Sequence, residues 1–188
     1  MGTNAPLLGE PLPVELMNTI WADRNGGYDA LSTPAETTGW LQATGHDVTQ
    51  APADLALQLR ELRDALRQLA ADATDDPRPR TSNVDALAVV NRACALAPSW
   101  SSLNTDGSVV RICARTTTEQ AISKIAEQAV SLFSGDHRSR LRACLAPGCV
   151  LFFVRQHPPP RMVLRLLRQP RPRRPPLRPP PLKPGTGP

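Results

Sequence analysis

Pro52-Ala-Asp-Leu-Ala-Leu-Gln-Leu-Arg-Glu-Leu-Arg-Asp-Ala-Leu-Arg-Gln-Leu-Ala-Ala71 is the stretch from which the fold is read. Leu55, Leu59, Leu62, Leu66 and Leu69 fall four, three, four and three residues apart, the spacing that lines one side of an α-helix. Arg60, Arg63, Asp64 and Arg67 occupy the other faces, and a solvated charged surface is expected there. A helix with one leucine stripe needs neighbours to cover it, which predicts a mainly helical body.

Upstream, Thr33-Pro34-Ala35-Glu36 is a capping box with proline at the first helical position. It opens a helix that ends at Gly45, with Trp40 and Leu41 as core contacts. Gly9-Glu10-Pro11-Leu12-Pro13 reads as an extended entry. Val14–Trp21 reads as a short helix with Val14, Met17 and Trp21 on one side, broken by Asn25-Gly26-Gly27.

Downstream, Thr74–Arg80 reads as a loop. Its adjacent acids, Asp75 and Asp76, have no histidine or metal pattern near them and do not suggest acid-base chemistry. Ser82 or Asn83 is expected to cap a fourth helix running through Leu96, with Cys94 packed as a small hydrophobe. Trp100–Leu103 and Val109–Cys113 flank Asn104-Thr105-Asp106-Gly107-Ser108, a hairpin signal that places Cys113 on a strand. Thr117 and Gln120 are read as the capping box of a fifth helix. Its stripe is Ile122, Ile125, Ala129 and Phe133, and Gly135 stops it. The expected class is mainly α with a small β-hairpin near 99–114, that is, α+β.

Charge divides the chain. Residues 158–188 carry eight of the 22 basic side chains, no acid and 12 prolines, so the +5 total leaves the preceding residues at −3. So proline-rich a tail is expected to be disordered or polyproline II; it could touch nucleic acid or an acidic membrane non-specifically, or resemble an SH3 ligand. There is no signal peptide, and no apolar run approaches the roughly 20 residues of a membrane span, so a cytoplasmic protein with no membrane partner is expected. No glycine-rich phosphate loop, nucleophile elbow or Cys-His-Asp pattern accompanies the thiols, which argues against an enzyme.

The second informative stretch is Leu141–Arg155, Leu-Arg-Ala-Cys144-Leu-Ala-Pro-Gly-Cys149-Val-Leu-Phe-Phe-Val-Arg. Pro147 presets φ and Gly148 accepts a positive φ, so the turn can bring both sulfurs to one metal ion. A tetrahedral structural zinc site wants four ligands, and Cys144 and Cys149 are two. His137 and His157 are the nearest substitutes, and each reads as a surface histidine.

Leu141, Arg142, Cys144, Cys149 and Phe153 resemble the first half of the zinc finger of bacterial CGNR proteins, Leu-Arg-x-Cys-x4-Cys-x-x-x-Phe. Gly9-Glu10-Pro11-Leu12 with Glu15-Leu16-Met17-Asn18-Thr19, and the Leu59–Arg67 run, resemble the ABATE domain that precedes that finger. The resemblance divides the chain into an ABATE-like helical domain over 7–137, half a finger over 138–157 and the tail over 158–188. It implies a stress-induced transcription regulator that binds DNA and zinc, with Cys144 and Cys149 as metal ligands; a homo-oligomer is compatible with it. The competing reading is a ligand-binding or protein-interaction module that works without DNA.

The family's second half, Trp-Cys-Ser-x-x-Cys-Gly-Asn-Arg, is absent from the written chain. Back-translating from Pro159 with G/C-rich codons, but CGA for Arg161 and CAA for Gln169, and reading one base later gives Arg-Arg-Glu-Trp-Cys-Ser-Gly-Cys-Cys-Gly-Asn-Arg. The tryptophan opposite Met162 is independent of codon choice, because ATG before any valine codon contains TGG. The motif cysteines fall opposite Val163 and Leu167. One extra base in the C-rich run encoding His157–Pro160 would account for the loss, and the tail would then be an out-of-frame product.

Overall fold

The computed structural model describes residues 7–78 and 85–155. Ser82, Asn83, His157 and the tail from Pro158, expected above to supply a cap, a substitute ligand and a disordered segment, lie outside the described residues. Helices α1 (Leu12–Met17), α2 (Pro34–Ala43), α3 (Ala53–Thr74), α4 (Ala86–Cys94) and α5 (Thr117–Ser134) alternate with three antiparallel strand pairs. These are β1 (Ile20–Asp23) with β2 (Gly26–Asp29), β3 (Ser99–Leu103) with β4 (Val109–Cys113), and β5 (Leu141–Ala143) with β6 (Phe152–Val154). The class is α+β, as expected.

The leucine helix α3 is the centre. Leu59, Leu62 and Leu66 are fully buried, and α1, α2, α4, α5 and β5 pack against it. Asp75, in the left-handed region at φ 51°, closes its C-terminus. Burying these leucines, with Trp40, Leu41, Ile122 and Ile125, removes about 1.5–3 kcal/mol of apolar exposure per large side chain.

The charged side of α3 is not the solvated surface expected from its sequence. Arg63 is 4% exposed and pairs with Asp29 at 2.6 Å and Asp64 at 3.0 Å. Arg60 donates to the Leu31 carbonyl at 2.9 Å, and Arg67 to the Met17 carbonyl at 2.7 Å. A flank of α3 beside its leucines meets loop backbone whose carbonyls need donors, while Leu57 on another face is exposed. Arginine reaches them with a long apolar stem and a multi-donor head.

The entry helix is shorter than its sequence suggests. It stops at Met17, where Thr19 Oγ1 donates back to the Leu16 carbonyl at 2.8 Å. Trp21 is then on a strand, stacked on Tyr28 with ring centroids 5.2 Å apart, as its cross-strand partner. The Asn25-Gly26-Gly27 group does not merely break a helix. With Arg24 and Asn25 as a two-residue loop and Gly26 at φ 139°, it turns a hairpin. Ile20, Trp21 and Tyr28 have the β-branched and aromatic character that strand pairing favours.

Caps also differ in position. Thr33 and Glu36 form the expected box. The fifth helix is capped one residue early, by Thr116 and Glu119 rather than Thr117 and Gln120, with Thr116 N–H donating to Glu119 Oε2 at 2.8 Å. A carboxylate accepts that bond more strongly than an amide and complements the helix N-terminus. Thr116→Ala is therefore expected to cost about 1 kcal/mol, measurable by urea unfolding. Asp85 caps α4, which ends at Cys94 rather than Leu96. The β3–β4 hairpin and the strand position of Cys113 are as expected.

His46 follows α2, with its Nε2 buried and without a hydrogen-bond partner among the described residues. Burial first, and the charge of Lys124 second, hold its pKa below the ordinary 6.5. Between that lowered value and 6.5 the unfolded chain binds more protons than the folded one. Stability is thus full above this window and declines as pH falls through it. His46→Leu is expected to flatten that decline in denaturant titrations run from neutral to mildly acidic pH.

Candidate functional site

The cysteine turn is the loop of the β5–β6 hairpin, held in register by Leu141 opposite Val154 and Ala143 opposite Phe152. Cys144 N–H donates to the Leu151 carbonyl at 2.9 Å, and Cys149 N–H to the Ala146 carbonyl at 3.0 Å. Gly148 takes φ 75°, the left-handed conformation anticipated from the Pro-Gly pair. Each thiol shifts the other's pKa across the turn. A hydrogen bond from the Ala146 backbone, then one from Cys149, lowers the pKa of Cys144. Burial raises that of Cys149. Of the pair, Cys144 is therefore the thiol that gives up its proton first.

This hairpin is fastened to the helical body by side chains far away in sequence. Asn18 makes a reciprocal pair with the backbone of Phe152: Nδ2 donates to its carbonyl and Oδ1 accepts from its N–H, each at 2.9 Å. Glu10 Oε2 accepts from Val154 N–H at 2.9 Å. Glu10 is itself placed by Glu15, whose Oε1 accepts from the Glu10 N–H at 2.7 Å.

Two arginines hold the loop from below. Arg67 donates to the Val150 carbonyl at 3.0 Å as well as to Met17, and Arg78 donates to the Cys149 carbonyl at 2.7 Å. Both guanidinium groups stand 5.3 Å from the centroid of the buried Phe152 ring, a double cation–π contact. Burial, and then the neighbouring charges of Arg78 and Arg63, lower the Arg67 pKa to about 10. Asp76 balances Arg78 in a close ion pair, and hydrogen bonds from that arginine hold the carboxylate below its usual pKa. Asp76 thus anchors Arg78 and is not half of a carboxylate pair with Asp75.

The sequence pointed to Cys144 and Cys149, and the fold brings them together. It does not bring His137 to them: that ring interacts with Arg140 at 3.2 Å on an exposed turn. Cys94 and Cys113 lie on other elements. Among the described residues no group of three or more His, Cys, Asp or Glu side chains is placed to hold a metal ion. Two thiols at a turn fit one half of a tetrahedral thiolate site, and the described residues do not supply the other half. Glu10, Asn18, Arg67 and Arg78 were missed as supports for the turn. Asn18 and Glu10 lie inside the quoted N-terminal motif, which was the signal that could have found them.

Among the described residues no helix is long and apolar enough to cross a membrane. No curated protein matches the chain. Residues 10–136 match the ABATE family, whose description reads "putative stress-induced transcription regulator". The match stops short of the cysteine hairpin but contains all four of its supports, Glu10, Asn18, Arg67 and Arg78. It covers more than half of the 188 residues, and the chain belongs to the ABATE family.

Proposed function

We propose that the chain is a DNA-binding transcription regulator of the CGNR zinc-finger type, with the first half of its finger in the β5–β6 hairpin. The second half is encoded one base out of frame after His157. The observation that carries this reading is the Cys144–Cys149 turn in the β5–β6 hairpin, whose backbone is gripped by Arg67 and Arg78 and whose second strand is gripped by Asn18. A turn held this firmly can present two thiolates with little ordering cost on metal binding. The Arg155 N–H donates to the Arg140 carbonyl at 2.9 Å, which extends the hairpin's fastening beyond Val154.

In the intact finger, Cys144 and Cys149 would hold zinc together with the two cysteines encoded opposite Val163 and Leu167. The metal would supply structural closure rather than catalysis. Basic residues after the fourth cysteine would meet DNA phosphates.

The test compares the written chain with a frame-restored one. The restored protein is expected to hold one zinc per chain with an apparent binding free energy of about 10–16 kcal/mol, and to shift a genomic DNA pool in a zinc-dependent way. The written chain is expected to lose zinc on dialysis against a mild chelator. Equal zinc content and equal DNA binding in the two proteins would overturn the proposal, as would a Val163 codon other than GTG.

A further inference from the structure

The β3–β4 hairpin stands off the body. Its strands pair with each other, and no helix packs broadly on them. A cleft of about 470 Å³ separates its base from α5. Ser99 pairs opposite Cys113, and Arg111 lies two residues before Cys113, so all three share one face of the arm. Gln120, Ser123, Lys124 and Glu127 fall at helical spacing and form the opposite wall.

Most hydrogen-bonding capacity in this cleft is already committed. Ser123 donates to the Cys94 carbonyl at 2.8 Å, and the Gln120 amide to the Arg115 carbonyl at 2.7 Å. Two donors are not. Arg111 uses Nε on Ser99 Oγ at 2.8 Å, which fixes the plane of the fork, and its terminal nitrogens have no hydrogen-bond partner among the described residues. Lys124 has no hydrogen bond or ion pair among the described residues. One cation thus stands on each wall, and Glu127, one turn beyond Lys124, is the single acid of the lining.

We propose that this cleft binds a small organic oxyanion, a carboxylate or a phosphate monoester, clamped between Arg111 of the arm and Lys124 of α5. A planar fork with both terminal NH2 groups free suits a two-oxygen anion, and the ammonium opposite adds a further charge-assisted bond. Glu127 disfavours polyanions and accepts from a hydroxyl or ammonium at the ligand's other end. An isolated two-stranded hairpin is marginally stable in water, so a ligand bridging the walls would tie the arm to the body. The proposal stands whether or not the chain binds DNA.

The test is titration calorimetry of the full chain with acetate, inorganic phosphate, L-serine and AMP, alongside hydrogen exchange over residues 99–113. Saturable binding of at least one probe, with slowed exchange in the arm, is expected. L-serine and AMP as arms separate a carboxylate from a phosphate source. Arg111→Gln and Lys124→Gln, both at exposed positions, should each weaken binding about ten-fold or more with unchanged circular dichroism. Arg92→Gln, an exposed control whose partner Glu61 lies 3.4 Å away, should leave binding intact. No binding by any probe at millimolar concentration would overturn the proposal. So would binding that the Arg92 variant weakens as much as the Arg111 and Lys124 variants do.

Discussion

Asn18→Leu is expected to lower the unfolding free energy by about 2–4 kcal/mol and to speed amide exchange throughout residues 141–154. Leucine matches asparagine closely in shape, so packing changes little. What disappears is the pair of 2.9 Å bonds to the Phe152 backbone, and Asn18 is 1% exposed. The Phe152 N–H and carbonyl would stay buried without partners, and each such loss costs about 1–3 kcal/mol. Asn18→Asp provides the contrast. It keeps the acceptor for Phe152 N–H but sets a carboxylate oxygen against the Phe152 carbonyl, so it should also destabilise. Urea unfolding gives the energy, and exchange mass spectrometry shows where it is lost. Loss spread evenly over the body, with no excess in the hairpin, would contradict the role given to Asn18.

The second large effect is at Trp40. It is fully buried on α2, and its indole Nε1 finds no acceptor among the described residues. Two changes separate volume from polarity. Trp40→Ala removes the largest core side chain and should cost about 3–5 kcal/mol, a large share of the 5–15 kcal/mol typical of a folded domain. Trp40→Phe gives up part of the ring but also removes a buried, unsatisfied N–H. Those terms oppose each other, so its cost should be well under half that of alanine. Thermal and urea unfolding of both variants decide the matter. A phenylalanine variant as unstable as the alanine one would show that the indole N–H is satisfied.

Much of the body was legible because its signals are local. The leucine spacing of α3, the Thr33 box and the Asp-Gly turn before Ser108 each depend on a few neighbouring residues, and each appears in the fold. The β1–β2 hairpin was not legible, because strands of four residues show too little alternation to outweigh a helical reading of Val14–Trp21. The buried arginines of α3 were misread for a different reason. Spacing shows which residues share a face, not what packs on that face. Arg67 looks like any surface cation until Met17 and Val150, 50 and 83 residues away, arrive with unpaired carbonyls. At the site, the thiols were visible from chemistry and spacing. Their supports were not, because the Asn18–Phe152 and Arg78–Cys149 contacts join remote segments by backbone groups that every residue type carries.

The Asn18–Phe152 pair also governs when this protein can finish folding. Its members are 134 positions apart, so a ribosome must extrude nearly the whole body before the first helix gains its last partners. Until then the Asn18 amide just past α1 has nothing to hold, and Arg67 and Arg78 lack the Phe152 ring they contact. Partial chains halted before that phenylalanine should depend on chaperones, and messages that pause translation late in the gene should prolong that dependence.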